Sequence, residues 1–484
     1  MPFVAGGGLP AGISETERVG SMKIRFEWAR RSLALLLLLL LLPAAVLAAD
    51  LRGVRFGSSD ERDRVVFDVS AAPRYEVKTE RNGQRVIVEF AGLKDLGKVK
   101  PAIKSELIQR VTWQKNGQNL RVIFDLSEPA DYVVKALKNP ARVFIDFSKF
   151  FERETDWDPA PGLKAKTYFR RDGRGLLSAF FLDVDPAKYR LEPVLANGEV
   201  LGRQTVRGMS DDMQAAAAIN ASYFEPDGSF SGVVRMDGTV IGTTYFTRRA
   251  LGIKANGRPF IAPVYYDATV RIGAASVRVS GVNIERGDNN LIIYNRYYNP
   301  TTETNRFGRE FTVQNGRITK IQQANSVIPQ DGYVISVHGS ARDAFVRARV
   351  GDKVTLTEDL GPQWLNVPTI VSGGPMLVKN GKPHVTVAEE KFPEDIAVGR
   401  APRTGLALLP NRHILLAVVD GRQSSSIGCT LDEFAELLVK FGAREAINFD
   451  GGGSSEMVIG GQIINNPSDG QERKVANALA VMKK

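Results

Sequence analysis

Ile447-Asn448-Phe449-Asp450-Gly451-Gly452-Gly453-Ser454-Ser455-Glu456-Met457 is the stretch on which the reading of this chain turns. A short apolar run ends on a carboxylate, and three residues without side chains follow. Glycines allow positive φ and let backbone N–H groups come close to a ligand. Successive N–H groups in such turns form concavities that bind anions. An acid beside an anion cradle is what phosphate-ester or glycosyl chemistry requires. A tight turn after a strand is the competing reading of so short a motif, and the surrounding sequence has to decide between them.

Upstream lies a strand, a helix and a strand. Leu431 to Phe441 carries apolar residues on one face at Leu431, Phe434, Leu438 and Phe441. Thr430 and Glu433 form a capping box, and Gly442 provides the stop. The flanking runs, His413–Val419 and Ala446–Phe449, both lead into Asp-Gly: Asp420-Gly421-Arg422 and Asp450-Gly451. If the helical crossover makes these strands parallel neighbours, both carboxylates emerge at one sheet edge, where ligands of α/β sheets bind. Further upstream, Leu176–Val184 reads as a strand. Ser210–Ile219 reads as a short helix capped by Ser210 and favoured by its alanines, running into Asn220-Ala221-Ser222-Tyr223-Phe224. Polar groups among glycines or prolines recur at Ser372-Gly373-Gly374-Pro375, Arg400-Ala401-Pro402-Arg403-Thr404, Asn465-Asn466-Pro467-Ser468-Asp469 and Glu472-Arg473. Each alone reads as a turn or a solvated charge; together they describe a site assembled from many loops. The fold class is α+β, with a β-rich mixed-sheet domain over 163–484 behind a small all-β sandwich.

That sandwich is legible as a repeat. Arg64-Val65-Val66-Phe67-Asp68-Val69-Ser70 recurs as Arg121-Val122-Ile123-Phe124-Asp125-Leu126-Ser127. Tyr75-Glu76-Val77 recurs as Tyr132-Val133-Val134, and Arg85 to Phe90 recurs as Arg142 to Phe147. All three pairs share one offset of 57 residues, the mark of a duplication. Apolar and polar residues alternate within each unit, the strand period. Residues 51–150 resemble the AMIN domain of bacterial envelope proteins, on these strands and on the Asn139-Pro140-Ala141-Arg142 turn. The resemblance implies periplasmic placement and targeting to peptidoglycan or another envelope structure; a sandwich that merely packs on its neighbour is the plainer alternative. Residues 151–162, with Asp156-Trp157-Asp158-Pro159-Ala160-Pro161-Gly162, read as a linker.

The N-terminus carries an address. Lys23, Arg25, Arg30 and Arg31 precede a leucine run from Leu33 to Leu42, broken by Pro43 and followed by Val46-Leu47-Ala48. This is the pattern of a signal peptide over 1–48, cleaved before Ala49 or Asp50. Left uncleaved, it would be the chain's one attachment to a membrane. Both outcomes place the remainder outside the cytoplasm, in the periplasm or the extracellular envelope. One cysteine, Cys429, excludes an intrachain disulfide and reads as a buried structural residue. With three histidines in 484 residues, no His cluster suggests zinc. The net charge of +10 is spread along the chain without a basic-aromatic block, which argues against nucleic acid; acidic envelope polymers suit it better.

Seven segments occur in order: Asn220–Phe224, Pro402-Arg403-Thr404, Asp420-Gly421-Arg422, Gly428–Leu438, Asn448–Ser455, Asn465–Ser468 and Glu472-Arg473. With them, residues 165–484 resemble the phosphodiester glycosidase family, which includes the enzyme that uncovers mannose 6-phosphate by removing N-acetylglucosamine. Cys429 and Phe449 depart from the family's usual methionine-like residue and leucine. The resemblance implies cleavage of a sugar C1–O–phosphate linkage in an envelope polysaccharide or wall polymer. Phosphate is a good leaving group, so stabilising negative charge matters most. Arg403 and Arg422 suit phosphate oxygens, assisted by Arg473, by the Gly451, Gly452 and Gly453 amides, and by Ser454. Asp450 is the candidate nucleophile or base, with Asp420 or Glu472 as the second carboxylate that glycosidases use. Asn220, Asn448 and Asn465 suit sugar hydroxyls and an acetamido group. An Arg beside an Asp is equally well a structural ion pair. No cofactor is required by this reading. The same carboxylates could instead hold Ca²⁺ or Mg²⁺, giving a metal-dependent phosphodiesterase that cuts P–O, or the pocket could bind envelope polysaccharide without catalysis. The stretch 262–370 carries no assignable chemistry, although Asn289–Thr304, rich in Asn, Tyr and Thr, suits a sugar pocket or an exposed loop.

Overall fold

The computed structural model describes residues 49–95, 97, 101–244 and 246–484. The expected signal peptide, 1–48, lies outside the described residues. The chain divides into two compact units between Phe147 and Ser148.

The first unit is a sandwich whose strand order follows from the duplication. One sheet has the order Leu93–Asp95, Ala49–Ser58, Arg62–Val69, Ala141–Ser148, Tyr132–Lys138; the other runs Tyr75–Glu80, Arg85–Phe90, Asn119–Leu126, Ile108–Asn116. Each sheet therefore joins a two-stranded hairpin of one repeat to a hairpin of the other, and the short strand Leu93–Asp95 adds a fifth strand at the edge of the first sheet. Inward residues of both sheets, Phe67, Phe90, Phe124 and Phe147 among them, are fully buried. The repeat's charges pair across its copies. Arg64 forks onto Asp146 at 2.6 Å, and its equivalent Arg121 binds Glu89 at 2.9 Å. The Arg121, Asn119 and Asn116 donors hold the Glu89 carboxyl down at about 2.

In the second unit, the expected linker 151–162 is instead an edge strand, Phe151–Ala160. It pairs antiparallel with Leu163–Asp172, with a bulge between Trp157 and Ala160. Trp157 packs on the core, which explains why a proline-rich segment is ordered there. This strand opens an eight-stranded sheet: Phe151–Ala160, Leu163–Asp172, Gly175–Val184, Ile414–Val419, Arg403–Leu408, Glu445–Asn448, Met376–Lys379, Lys382–Pro383. The helix Leu431–Lys440 covers one face, with the capping box formed and Leu431, Phe434 and Leu438 buried. The other face packs on a five-stranded sheet containing Ala217–Asn220, Met457–Ile459 and Asn477–Lys483.

The expected helix at 210–219 is displaced. The helix is Val206–Asp212, capped by Thr205, whose hydroxyl accepts from the Gly208 N–H at 3.1 Å. Ala217–Asn220 is a central strand between two partners, so sheet pairing overrides the helical preference of alanine. The middle stretch forms further sheets around its own core of Phe311, Phe345 and Trp364. Within 289–304, Asn295 bonds Asn283 and the Val240 carbonyl, while Thr302 and Thr304 bond buried Glu310. These side chains serve that layer's own interior. Among the described residues, no helix is long and apolar enough to cross a membrane.

Candidate active site

The two strands that lead to Asp420 and Asp450 are parallel to each other but are not neighbours. Arg403–Leu408 lies between them, antiparallel to both, with Arg403 opposite Val419 and Gly405 opposite Asn448. The inserted strand begins at the edge where its neighbours end. Arg403 thus starts between Asp420 and Asp450, whose strands stand two inter-strand steps apart, about 10 Å. Close packing of the helix explains Gly405: a Cβ there would sit 2.9 Å from the Phe434 ring and 3.0 Å from the Ile447 carbonyl.

Asp450 is tied to the second sheet. Its N–H donates to the Ala221 carbonyl at 2.8 Å, and the Asn220 amide donates to the Asp450 carbonyl at 2.6 Å. Its carboxylate accepts from the Gly451 N–H at 2.9 Å. Burial pushes it up to about 6, against the pull of Ser454, Gly451 and Arg473. Asp420 is 3% exposed and accepts from the Asn465 amide and the Asn466 N–H, both at 3.0 Å. Burial raises it to about 6 as well. Neither carboxylate is in an ion pair among the described residues. The Arg-Asp structural pair weighed from the sequence is therefore not formed at Asp420 or Asp450.

The arginines differ in what they can offer. Arg403 is 3% exposed, and its guanidinium donates to the carbonyls of Cys429, Ile396 and Gly399 at 3.1–3.2 Å. Burial lowers its pKa from the ordinary value. Two of its five N–H groups are left over. Arg422 is exposed, with a left-handed backbone at φ 60°, a conformation that costs of order 1 kcal/mol in a non-glycine residue. Its guanidinium lies over Gly452, where a Cβ would be 3.3 Å from Nη1. Arg473 is bound by Asp469, Nε to Oδ2 at 2.7 Å, and the pair presses on Gly453, where a Cβ would overlap both side chains.

The glycine turn is less open than expected. The Gly451 N–H turns to the Asp450 carboxylate, and the Gly452 N–H donates to the Pro402 carbonyl at 3.0 Å. At most the Gly453 amide remains for a ligand. The turn is shaped by what presses on it rather than by a row of free donors.

The asparagines also divide. Asn220 Oδ1 accepts from Thr404 at 2.7 Å and from the Glu456 N–H at 3.2 Å, and its amide holds Asp450. Asn465 binds Asp420, the Ser455 carbonyl and the Met457 N–H. Both join loops to strands. Asn448 donates to the Tyr223 hydroxyl at 2.7 Å, but its buried Oδ1 has no donor.

Glu472 stands apart from Asp450. It pairs with Arg207 at 2.5 Å and faces Glu456, a residue the sequence reading quoted but did not choose. Glu456 is 2% exposed; burial, then the Glu472 charge, pushes it up to about 7. The signal was a lone carboxylate opening the apolar run Met457-Val458-Ile459. Tyr223 was likewise passed over. Its hydroxyl donates to the Gly374 carbonyl at 3.0 Å, and it feels the Asp450 and Arg403 charges. Cys429 is fully buried, its thiol pushed up to about 12 by burial, as a structural cysteine should be. Among the described residues, no three His, Cys, Asp or Glu side chains converge as a metal-holding group.

A curated relative, an uncharacterised prophage-derived protein of Bacillus subtilis, is 35% identical over 108 residues, 22% of this chain and 16% of that protein. Two solved structures share the fold. A hypothetical protein from Synechocystis aligns over 90% of this chain and 81% of its own, at TM-score 0.62 and 23% identity. A putative exported protein from Burkholderia pseudomallei aligns over 69% of this chain and 97% of its own, at TM-score 0.60 and 18% identity. The phosphodiester glycosidase family model matches residues 307–482 and the AMIN model residues 53–147. The first match takes in Arg403, Asp420, Arg422, Asp450, the glycine turn and Glu472; Asn220 and Tyr223 precede it. This chain thus carries an AMIN domain followed by a phosphodiester glycosidase-family segment.

Proposed function

We propose that the second unit hydrolyses a sugar 1-phosphodiester in the cell envelope, where the AMIN domain holds it against peptidoglycan or an anionic polysaccharide. The observation that carries this reading is the sheet edge itself. Two carboxyl groups with values near 6 flank an arginine that no carboxylate neutralises. A structural site would have joined these charges into ion pairs, whereas an anionic substrate needs them apart.

Asp450 is ionised at neutral pH yet more basic than an ordinary carboxylate, which suits a nucleophile or a base acting on water. The C1–O bond breaks, water supplies OH to C1 while its proton passes to the Asp450 carboxylate and on to solvent, and the phosphate leaves as a monoester with one more negative charge. Arg422, lying over Gly452, and the two spare N–H groups of Arg403 meet that growing charge. Arg473 and the Gly453 amide border the same turn. Asp420 orients the 465–466 loop and is the second carboxylate. The donorless Asn448 Oδ1 is the sugar-facing acceptor, while Asn220 and Asn465 position the loops.

The test uses the mature chain with UDP-N-acetylglucosamine, with and without EDTA, beside Asp450→Asn. Free N-acetylglucosamine plus UDP, from the wild type alone and in both buffers, supports the reading. Sugar 1-phosphate plus UMP, lost in EDTA, would replace it with metal-dependent P–O cleavage. An Asp450→Asn variant as active as the wild type would remove Asp450 from the chemistry.

A further inference from the structure

Exposed apolar side chains that stand singly are ordinary on a folded protein. One place in the middle stretch collects three. Val346 and Val350 are 67% and 61% exposed, and Phe307 beside them is 58% exposed. The turn that carries the valines is not loose. Its sequence, Phe345-Val346-Arg347-Ala348-Arg349-Val350, sets two anchors among four outward residues: Phe345 and Ala348 are buried in the core of the middle stretch, and the others are exposed. The Arg309 guanidinium donates to the Phe345, Val346 and Ala348 carbonyls at 2.9–3.0 Å, and Arg317 donates to the Gly351 carbonyl at 2.9 Å. The Arg349 N–H donates to Asp352 at 2.8 Å. Arg342 reaches the Phe307 carbonyl at 3.4 Å, which ties the two segments together. A loop free to move could fold its valines inward; this one is bonded along its length in a shape that holds them out.

Charge surrounds these side chains. Arg306, Arg347, Arg349 and Lys353 are exposed, and among the described residues none of them is in an ion pair. The segment 342–353 has two acidic residues. Asp343 faces Arg342 at 3.6 Å, and Asp352 is turned to the Arg349 N–H. We propose that this turn docks the second unit on an anionic lipid surface, with Val346, Val350 and Phe307 entering the boundary between headgroups and acyl chains and the arginines meeting lipid phosphates. Apolar tips ringed by basic side chains suit that boundary. An arginine can keep its guanidinium among phosphates while its stem lies in apolar surroundings. A soluble acidic polymer would satisfy the arginines and leave the valines in water. A second copy of the chain, meeting this face about a twofold axis, would set the arginines against their own equivalents. Anionic lipid answers both the charge and the apolar surface. The leader was the chain's one expected attachment to a membrane, and this turn is a second that remains after its removal. It is independent of the reaction proposed above.

Flotation of the mature chain with lipid vesicles tests this. The wild type should bind vesicles of phosphatidylcholine with phosphatidylglycerol, and not phosphatidylcholine alone, and the binding should weaken as salt rises. Arg347→Gln with Arg349→Gln should weaken it about 30-fold, roughly fivefold for each basic side chain. Val346→Ser with Val350→Ser should weaken it about tenfold, since apolar contact is lost while every charge stays. All four positions are exposed, so both variants should keep the wild-type Tm. A wild type that ignores anionic vesicles, or binds neutral ones equally well, would overturn the proposal. So would a double-serine variant that binds as tightly as the wild type, because attraction without insertion is what any basic surface shows. Binding to dextran sulfate without binding to vesicles would replace the lipid by an acidic polymer. A dimer in sedimentation that the double-serine variant turns to monomer, again without vesicle binding, would replace it by a second copy of the chain.

Discussion

Asp420→Asn separates stability from activity at this site. The change is isosteric and removes a charge that burial has made costly. Asp420 is 3% exposed and raised from 3.8 to about 6. A shift of about 2 units corresponds to about 3 kcal/mol. The sign follows from linkage: an acid with a raised folded value contributes its stability at low pH and loses it as pH rises from 3.8 through about 6. Asparagine keeps an oxygen for the Asn465 amide and the Asn466 N–H, but places an amide where Oδ2 now accepts from Asn466 at 3.1 Å. That lost charge-assisted contact offsets roughly 1–2 kcal/mol of the gain. Asp420→Asn should therefore stabilise the second unit by about 1–2 kcal/mol at pH 8, and leave it unchanged or weaker at pH 4. Urea unfolding at both pH values measures the difference, with sugar-phosphodiester turnover assayed alongside. Turnover should fall while stability rises. Equal destabilisation at pH 4 and pH 8 would refute the reasoning, because it would mean that burial does not penalise the ionised carboxylate.

Gly453→Ala should fold, because Gly453 has no left-handed backbone and its Cβ would displace only the ends of Arg473 and Asp469. Turnover should nonetheless drop 10- to 100-fold, the loss of one charge-assisted contact of roughly 1.5–3 kcal/mol, measured as kcat/KM beside Tm. Cys429 should resist a disulfide reagent at pH 8 in the native protein and react fully in urea, since it is buried with a thiol near 12. The two units should answer acid in opposite directions. Glu89, held down at about 2, contributes stability to the first unit above 4.5 that disappears as pH falls toward 2. Asp450 and Glu456, raised to about 6 and about 7, make the second unit gain stability as pH falls through those values. Exchange followed separately in each unit tests this.

Local chemistry made much of this structure readable in the sequence. The helix Leu431–Lys440 carries its own capping box, and the 57-residue repeat states its strands twice. Asp420 and Asp450 were legible because each ends an apolar strand before a glycine. What failed was set by distant partners. Phe151–Ala160 has the composition of a linker and becomes a strand only because Leu163–Asp172 pairs with it. Ala217–Asn220 is helical by preference and a strand by position. The strand inserted between the two aspartate strands was invisible because strand order is not written locally. Asn220 and Asn465 look like sugar ligands in isolation, and only their contacts show that they join loops to strands. The Glu472 charge that helps raise Glu456 comes from a loop 16 residues further along the chain.

The interleaved sheets of the first unit bear on where such a module comes from. Because the first two strands of one repeat lie beside the last two of the other, a lone repeat would leave an open edge on both of its hairpins. Two separate copies, exchanging hairpins about a twofold axis, would close both edges at once. Joining them head to tail makes that association independent of concentration. The tandem arrangement is thus the single-chain form of a symmetric dimer, and paired charges such as Arg64–Asp146 and Arg121–Glu89 would then be the two halves of one ancestral subunit contact.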